Sequence, residues 1–134
     1  MGQAIMEPAE DQLRINQLTE KVIGCAHLIS NTLGAGFLEK VYENALVLEL
    51  RNAGLEVGQQ HPVPVFYKSV QVGDYTADLL VEGCVIVELK AVKALDEIHA
   101  AQCLNYLRAT GLSVCLLINF AKPRLQIKRI VLGF

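Results

Sequence analysis

Residues 75–106 read YTADLLVEGCVIVELKAVKALDEIHAAQCLNY, and this stretch decides the fold. Its first part is an apolar run, Ala77, Leu79, Leu80 and Val81, interrupted by Asp78. A carboxylate in such a run is costly unless it is paired, protonated or bound to a cation. Glu82-Gly83 then suits a tight hairpin turn, and Cys84 to Val87 stays apolar until Glu88, Leu89 and Lys90 arrive. Side chains alternate along a strand, so Glu88 and Lys90 share one face while Leu89 takes the other. The hairpin sets Asp78 beside Glu88. Two facing carboxylates repel, and a hard divalent cation with oxygen ligands is the common resolution. Lys90 would then stand where it can orient a metal-bound water or stabilise charge developing on a phosphate. A short loop leads to a helix predicted over 96–110, which Asp96 is suited to cap. On that helix His99, Gln102, Cys103 and Tyr106 fall at i, i+3, i+4 and i+7 and form one stripe.

Outward from this centre the chain is one unit. Residues 1–10 are expected to be a flexible leader and residues 11–134 a single domain, the size of one ordinary globule. Apolar residues at three- and four-residue steps predict an amphipathic helix over 11–33. Gly34-Ala35-Gly36 follows a helix and lacks the lysine of a phosphate loop, so it reads as a helix connector. A second helix is predicted over 37–52, with Leu38, Val41, Tyr42, Ala45, Leu46 and residues 48–50 on or near its buried side. Glu39 sits at the border of that face, and Tyr42 reads as a packing residue with a hydrogen-bonding tip. Residues 55–67, with Pro62 and Pro64 between valines, suit an edge strand or one with an irregular start, and His61 a surface loop. Residues 70–74 read as a turn region. Residues 112–120 form a buried strand and 124–132 a more exposed one.

Composition limits the function classes. Of 134 residues, 52% are hydrophobic and 19% charged, which argues for a packed globule and against disorder. The net charge of −2 is not that of a protein that grips long nucleic acid by bulk electrostatics. The basic residues Lys122, Arg124, Lys128 and Arg129 suit a charged edge strand better than a phosphate grip. Cys25, Cys84, Cys103 and Cys115 are far apart without a C-x-x-C pair, so free thiols are expected rather than a zinc site. The N-terminus lacks the pattern of a signal peptide, and no apolar run spans a bilayer, so a cytoplasmic protein without membrane attachment is expected.

Three motifs in order carry a resemblance. Asp78, followed by Glu88-Leu89-Lys90, resembles the D-(x)n-ExK signature of the PD-(D/E)XK nuclease superfamily. Gly36 to Tyr42 is similar to the motif of the GxxExxY proteins within it, and Gln102 to Tyr106 resembles the QxxxY motif of its exonuclease-like branch. Where the GxxExxY family often has a histidine ahead of its Leu-Gly-x-Gly segment, Ser30 stands here. The resemblance covers nearly the whole chain. It implies a restriction-endonuclease-like α/β/α sandwich with a central mixed β-sheet. It also implies metal-dependent phosphodiester hydrolysis on DNA, with RNA as the other substrate. Glu39, Asp78 and Glu88 would hold Mg²⁺ (or Mn²⁺) with the Leu89 carbonyl, and Lys90 would position water. Gln102 would complete the catalytic set, with Tyr42, Tyr106 and His99 in support. Nucleic acid is the implied partner; apart from the resemblance, net acidity and small size favour work with a partner or as a homodimer or larger complex. The alternative is a catalytically silent nuclease-fold module that binds nucleic acid or protein.

Overall fold

The computed structural model describes residues 8–121 and 124–134. Two helices, α1 (Pro8–Leu33) and α2 (Glu39–Asn52), precede three strands, β1 (Val57–Tyr67), β2 (Val70–Val81) and β3 (Val85–Lys90). Helix α3 (Glu97–Thr110) and strands β4 (Val114–Asn119) and β5 (Gln126–Val131) complete the chain. The five strands lie in sequence order in one mixed sheet: every neighbouring pair is antiparallel except β3 and β4, which α3 joins as a parallel crossover.

Alternation along β3 and β4 feeds two cores, and β2 changes face at Asp78, so that Ala77 and Leu79 enter opposite ones. Leu79, Val81, Val85, Val87, Leu89, Leu116 and Ile118 face α1 and α2. Ala77, Ile86, Cys115 and Leu117 face α3, through its Cys103, Tyr106 and Leu107. The result is the expected α/β/α layering. Strand β4, buried at all six positions and parallel to β3, is the buried strand that its continuous apolar run implied.

Local chemistry explains the junctions. Tyr42 is fully buried, stacks on Phe120 at 4.6 Å, donates to the Gly34 carbonyl at 2.7 Å and accepts from the Phe37 N–H at 3.1 Å. Its hydroxyl therefore fixes the bend between α1 and α2, where Gly34 and Gly36 take positive φ. Asp96 caps α3 by accepting from the N–H groups of Ile98 (2.8 Å) and His99 (3.4 Å).

Several expectations are corrected. Helix α1 begins at Pro8, ahead of the expected start at residue 11, and residues 1–7 and Lys122 lie outside the described residues. Residues 70–74 belong to β2; the turn is Lys68-Ser69, both at positive φ, a type I′ geometry without the usual Asn or Gly. His61 lies within β1, opposite Ala77. The inner side of α2 is Tyr42, Glu43, Leu46, Val47 and Leu50, so Leu38 (81% exposed), Leu48 (59%) and Val41 face outward. The four cysteines, by contrast, are the free thiols expected from their spacing.

Candidate active site

The site forms where β2 and β3 part. Their backbone ladder runs from Val81↔Val85 through Leu79↔Val87, and the next step in register would oppose Asp78 and Glu88. There the side chains take over the hydrogen bonding. The Asp78 N–H donates to Glu88 Oε1 at 2.8 Å, and the Leu89 N–H donates to Asp78 Oδ2 at 2.9 Å. Each acid is thus bound to the other's strand, and the two carboxyls are locked together at the fork. The sequence placed this pair correctly.

Burial and mutual repulsion act together on the pair. Glu88 is pushed up to about 8, first by desolvation and then by the Asp78 charge. Asp78 is also raised, chiefly by burial, with the Leu89 N–H opposing and Glu43 adding to the rise. Such a pair needs a proton or a cation. Lys90, on the Glu88 face of β3, lowers Glu39, Asp78 and Glu88 alike, so its charge is felt by all three acids.

Glu39 opens α2 and is raised by its own burial and by Asp78, while Lys90 and the Ala91 N–H hold it down. It therefore lies within electrostatic reach of the pair. No group of three metal-capable side chains converges among the described residues, so what is preassembled is the pair Asp78 and Glu88. Two facing oxygen-donor carboxyls, Glu88 buried and Asp78 half-buried, both raised in proton affinity, have the chemistry that a hard cation requires.

A further acid, Glu43, was not singled out from the sequence. Only 3% exposed, it accepts from Lys40 Nζ (2.7 Å), Gln59 Nε2 (2.6 Å) and Gln60 Nε2 (2.8 Å). Gln60 in turn reaches Asp78 Oδ1 at 3.4 Å from a backbone at φ 53°. A non-glycine residue in that region costs about 1–3 kcal/mol, and such strain clusters at functional sites. The signal for Glu43 was its position four residues after Glu39, on the same flank of α2.

The α3 stripe divides. Gln102 Nε2 donates to the Tyr106 hydroxyl at 3.0 Å, which donates to the Thr76 carbonyl at 3.2 Å. Tyr106 is pushed up to about 12 by burial, then by Glu88 and Asp78, so it stays protonated beside the acids. Gln102 makes no direct hydrogen bond to either acid. His99 does not extend the stripe into the site: its Nδ1 accepts from the Asp96 N–H at 3.2 Å and closes a capping box.

Comparison with known proteins agrees with this architecture. An alkaline exonuclease (LHK-Exo) from Laribacter hongkongensis superposes with a TM-score of 0.52 at 13% identity, covering 69% of this chain and 55% of that one. The likeness is one of fold, restriction-endonuclease-like as the motifs implied, and this chain spans only about half the length of that enzyme. No curated protein matches by sequence. The family profile of the PD-(D/E)XK nuclease superfamily matches residues 16–130, and these include Asp78, Glu88 and Lys90 at the fork. With that match over most of its length, the chain belongs to the PD-(D/E)XK nuclease superfamily.

Proposed function

We propose that the protein is a divalent-metal-dependent nuclease that hydrolyses phosphodiester bonds of DNA, and that within its superfamily it is a GxxExxY protein. The observation that carries this reading is the locked pair of half-buried Asp78 and buried Glu88, with Lys90 on the Glu88 face of β3. Asp78, Glu88 and the Leu89 carbonyl would hold Mg²⁺ or Mn²⁺, with Glu39 reaching in from the start of α2. Bound there, the cation would supply positive charge to the phosphate and acidify a water.

The remaining roles fall to the chain. The Lys90 ammonium stabilises negative charge as it grows on the phosphate oxygens. Glu43, through Gln60, holds the Asp78 carboxyl in place. Tyr106, kept protonated, fixes the wall made by Gln102. Leu89, buried in the opposite core, anchors the strand that presents Glu88 and Lys90.

Linear duplex, single-stranded and branched DNA, and RNA, incubated with the protein in Mg²⁺, Mn²⁺ or EDTA, test the reading. Cleavage is expected with either metal and none in EDTA. Lys90→Ala should slow turnover by about a hundredfold or more, the scale for one lost electrostatic donor, while affinity stays within a few fold. Equal loss of turnover and affinity would make Lys90 a binding residue. Failure of the wild-type protein to cut every substrate would leave a module that only binds.

A further inference from the structure

A groove of about 780 Å³ runs between the β1–β2 hairpin and α3. Its size lies within the ~300–1,000 Å³ of ordinary ligand sites. Phe66 and Tyr75 from the hairpin face Ile98, Gln102, Tyr106 and Arg108 from α3. Phe66 (60%), Tyr75 and Ile98 (76%) are exposed, although large apolar side chains gathered on one surface favour burial. Tyr75 meets Tyr106 edge to face at 6.4 Å, so both sides of the groove carry aromatic rings.

We propose that this groove holds unstacked bases of a single-stranded nucleic acid whose phosphodiester lies at the acid pair. The inference rests on the nuclease reading above. Three observations select the occupant. First, the groove adjoins the site: Tyr106 and Gln102 line it, and the Tyr106 hydroxyl donates to the carbonyl of Thr76, two residues from Asp78. Second, its lining residues include one cation, Arg108, and no carboxylate, whereas Glu39, Glu43, Asp78 and Glu88 crowd the neighbouring site. A polyanion can therefore enter from the groove side. Third, the chemistry suits base faces better than duplex phosphates. A duplex offers rows of phosphate that demand several cations, while a single strand offers π-faces to aromatic rings and base edges to amides such as Gln102 and Asn105.

Fluorescence anisotropy in EDTA, where the proposed cleavage is blocked, tests the groove. The probes are a labelled single strand of DNA, the same strand in RNA, the DNA strand with abasic sites, and a blunt duplex. The intact single strands should bind more tightly than the duplex. Abasic substitution, or Phe66→Ala, should weaken single-strand binding about fivefold or more, the lower end for one lost stacked base. Phe66→Trp should retain affinity. Because Phe66 is exposed, its replacement spares the core, and thermal melting verifies the fold. The proposal is overturned if the wild-type protein binds no single strand, or if abasic sites and Phe66→Ala change nothing. A concentration-dependent dimer that Phe66→Ala abolishes without altering strand binding would assign the groove to a second copy instead. Cleavage by wild-type protein in Mg²⁺ is scored separately. Cleavage without base-dependent binding sinks the groove alone; binding through Phe66 without cleavage sinks the nuclease reading alone.

Discussion

Burial of Glu88 beside Asp78 makes the neutral form of its carboxyl the favoured one in the fold. Its affinity for a proton is raised from 4.5 to about 8, so the stability it contributes is complete below the unfolded value. That contribution is lost as pH rises towards 8. Without metal, the melting temperature should fall across this window, with Asp78 shifted in the same direction. Calorimetry of wild type and Glu88→Gln checks this, since the amide cannot ionise and should flatten the fall. Added Mg²⁺ should flatten it in the wild type as well, by binding the ionised form. A metal-free melting curve that rises steadily from pH 5 to pH 8 would contradict the burial argument. Glu43 invites a second measurement. It touches Asp78 only through Gln60, and outer partners of metal ligands commonly carry ten- to hundredfold effects on affinity. Glu43→Gln should therefore weaken Mn²⁺ binding by about tenfold in titration calorimetry. Unchanged affinity with a lowered melting temperature would leave Glu43 a purely structural acid.

The elements show which signals in the chain were decisive. The order of helices and strands was legible because period and turn chemistry agree: Glu82 and Gly83 take the positive φ of a hairpin turn, and Asp96 caps α3. The Lys68-Ser69 turn was not legible, since neither residue advertises the positive φ it adopts, while the nearby glycine, Gly73, lies within β2 without it. Helix α2 carries apolar residues on more than one side, so period could not choose between Leu46 and Leu48, and packing against the sheet decided. Asp78, Glu88 and Lys90 were found because alternation and one short turn fix their neighbours. Glu43 was missed because its partners, Gln59 and Gln60, lie 16 and 17 residues away on another element. His99 was misread because a helical stripe does not reveal that its first member bends back to the cap. This yields a test at the same scale: Asp96→Ala should cost about 1 kcal/mol, as lost N-caps do, and lower the melting temperature by a few degrees. His99→Ala should cost less, and neither should change cleavage. A loss of turnover in His99→Ala with melting unchanged would return it to the site.

Across the whole molecule, charge is distributed rather than massed. The chain carries 12 basic and 14 acidic residues; Lys90 acts on the site and Arg108 lines the groove, while Lys68 follows Phe66 and Lys93 follows Lys90 closely in sequence. On β5 and just before it, Arg124, Lys128 and Arg129 form a separate basic strip. Arg129 is engaged there by Asn16 Oδ1 at 2.7 Å and by the Phe134 ring at 4.9 Å. Each phosphate contact on a single strand contributes about −0.7 to the slope of log K against log salt. Four cations therefore allow a slope no steeper than about −3, and enlisting the β5 strip would carry it to about −5. Affinity measured in EDTA over a range of KCl concentrations should give the shallower value, and Arg108→Ala should reduce it by about one contact. Lys128→Ala should leave it unaltered. With so shallow a slope, base stacking must supply most of the affinity measured without metal, which fits a chain whose net charge is negative. A slope near −5 that Lys128→Ala relieves would instead move the nucleic acid across the sheet to β5, and the hairpin groove would lose its occupant.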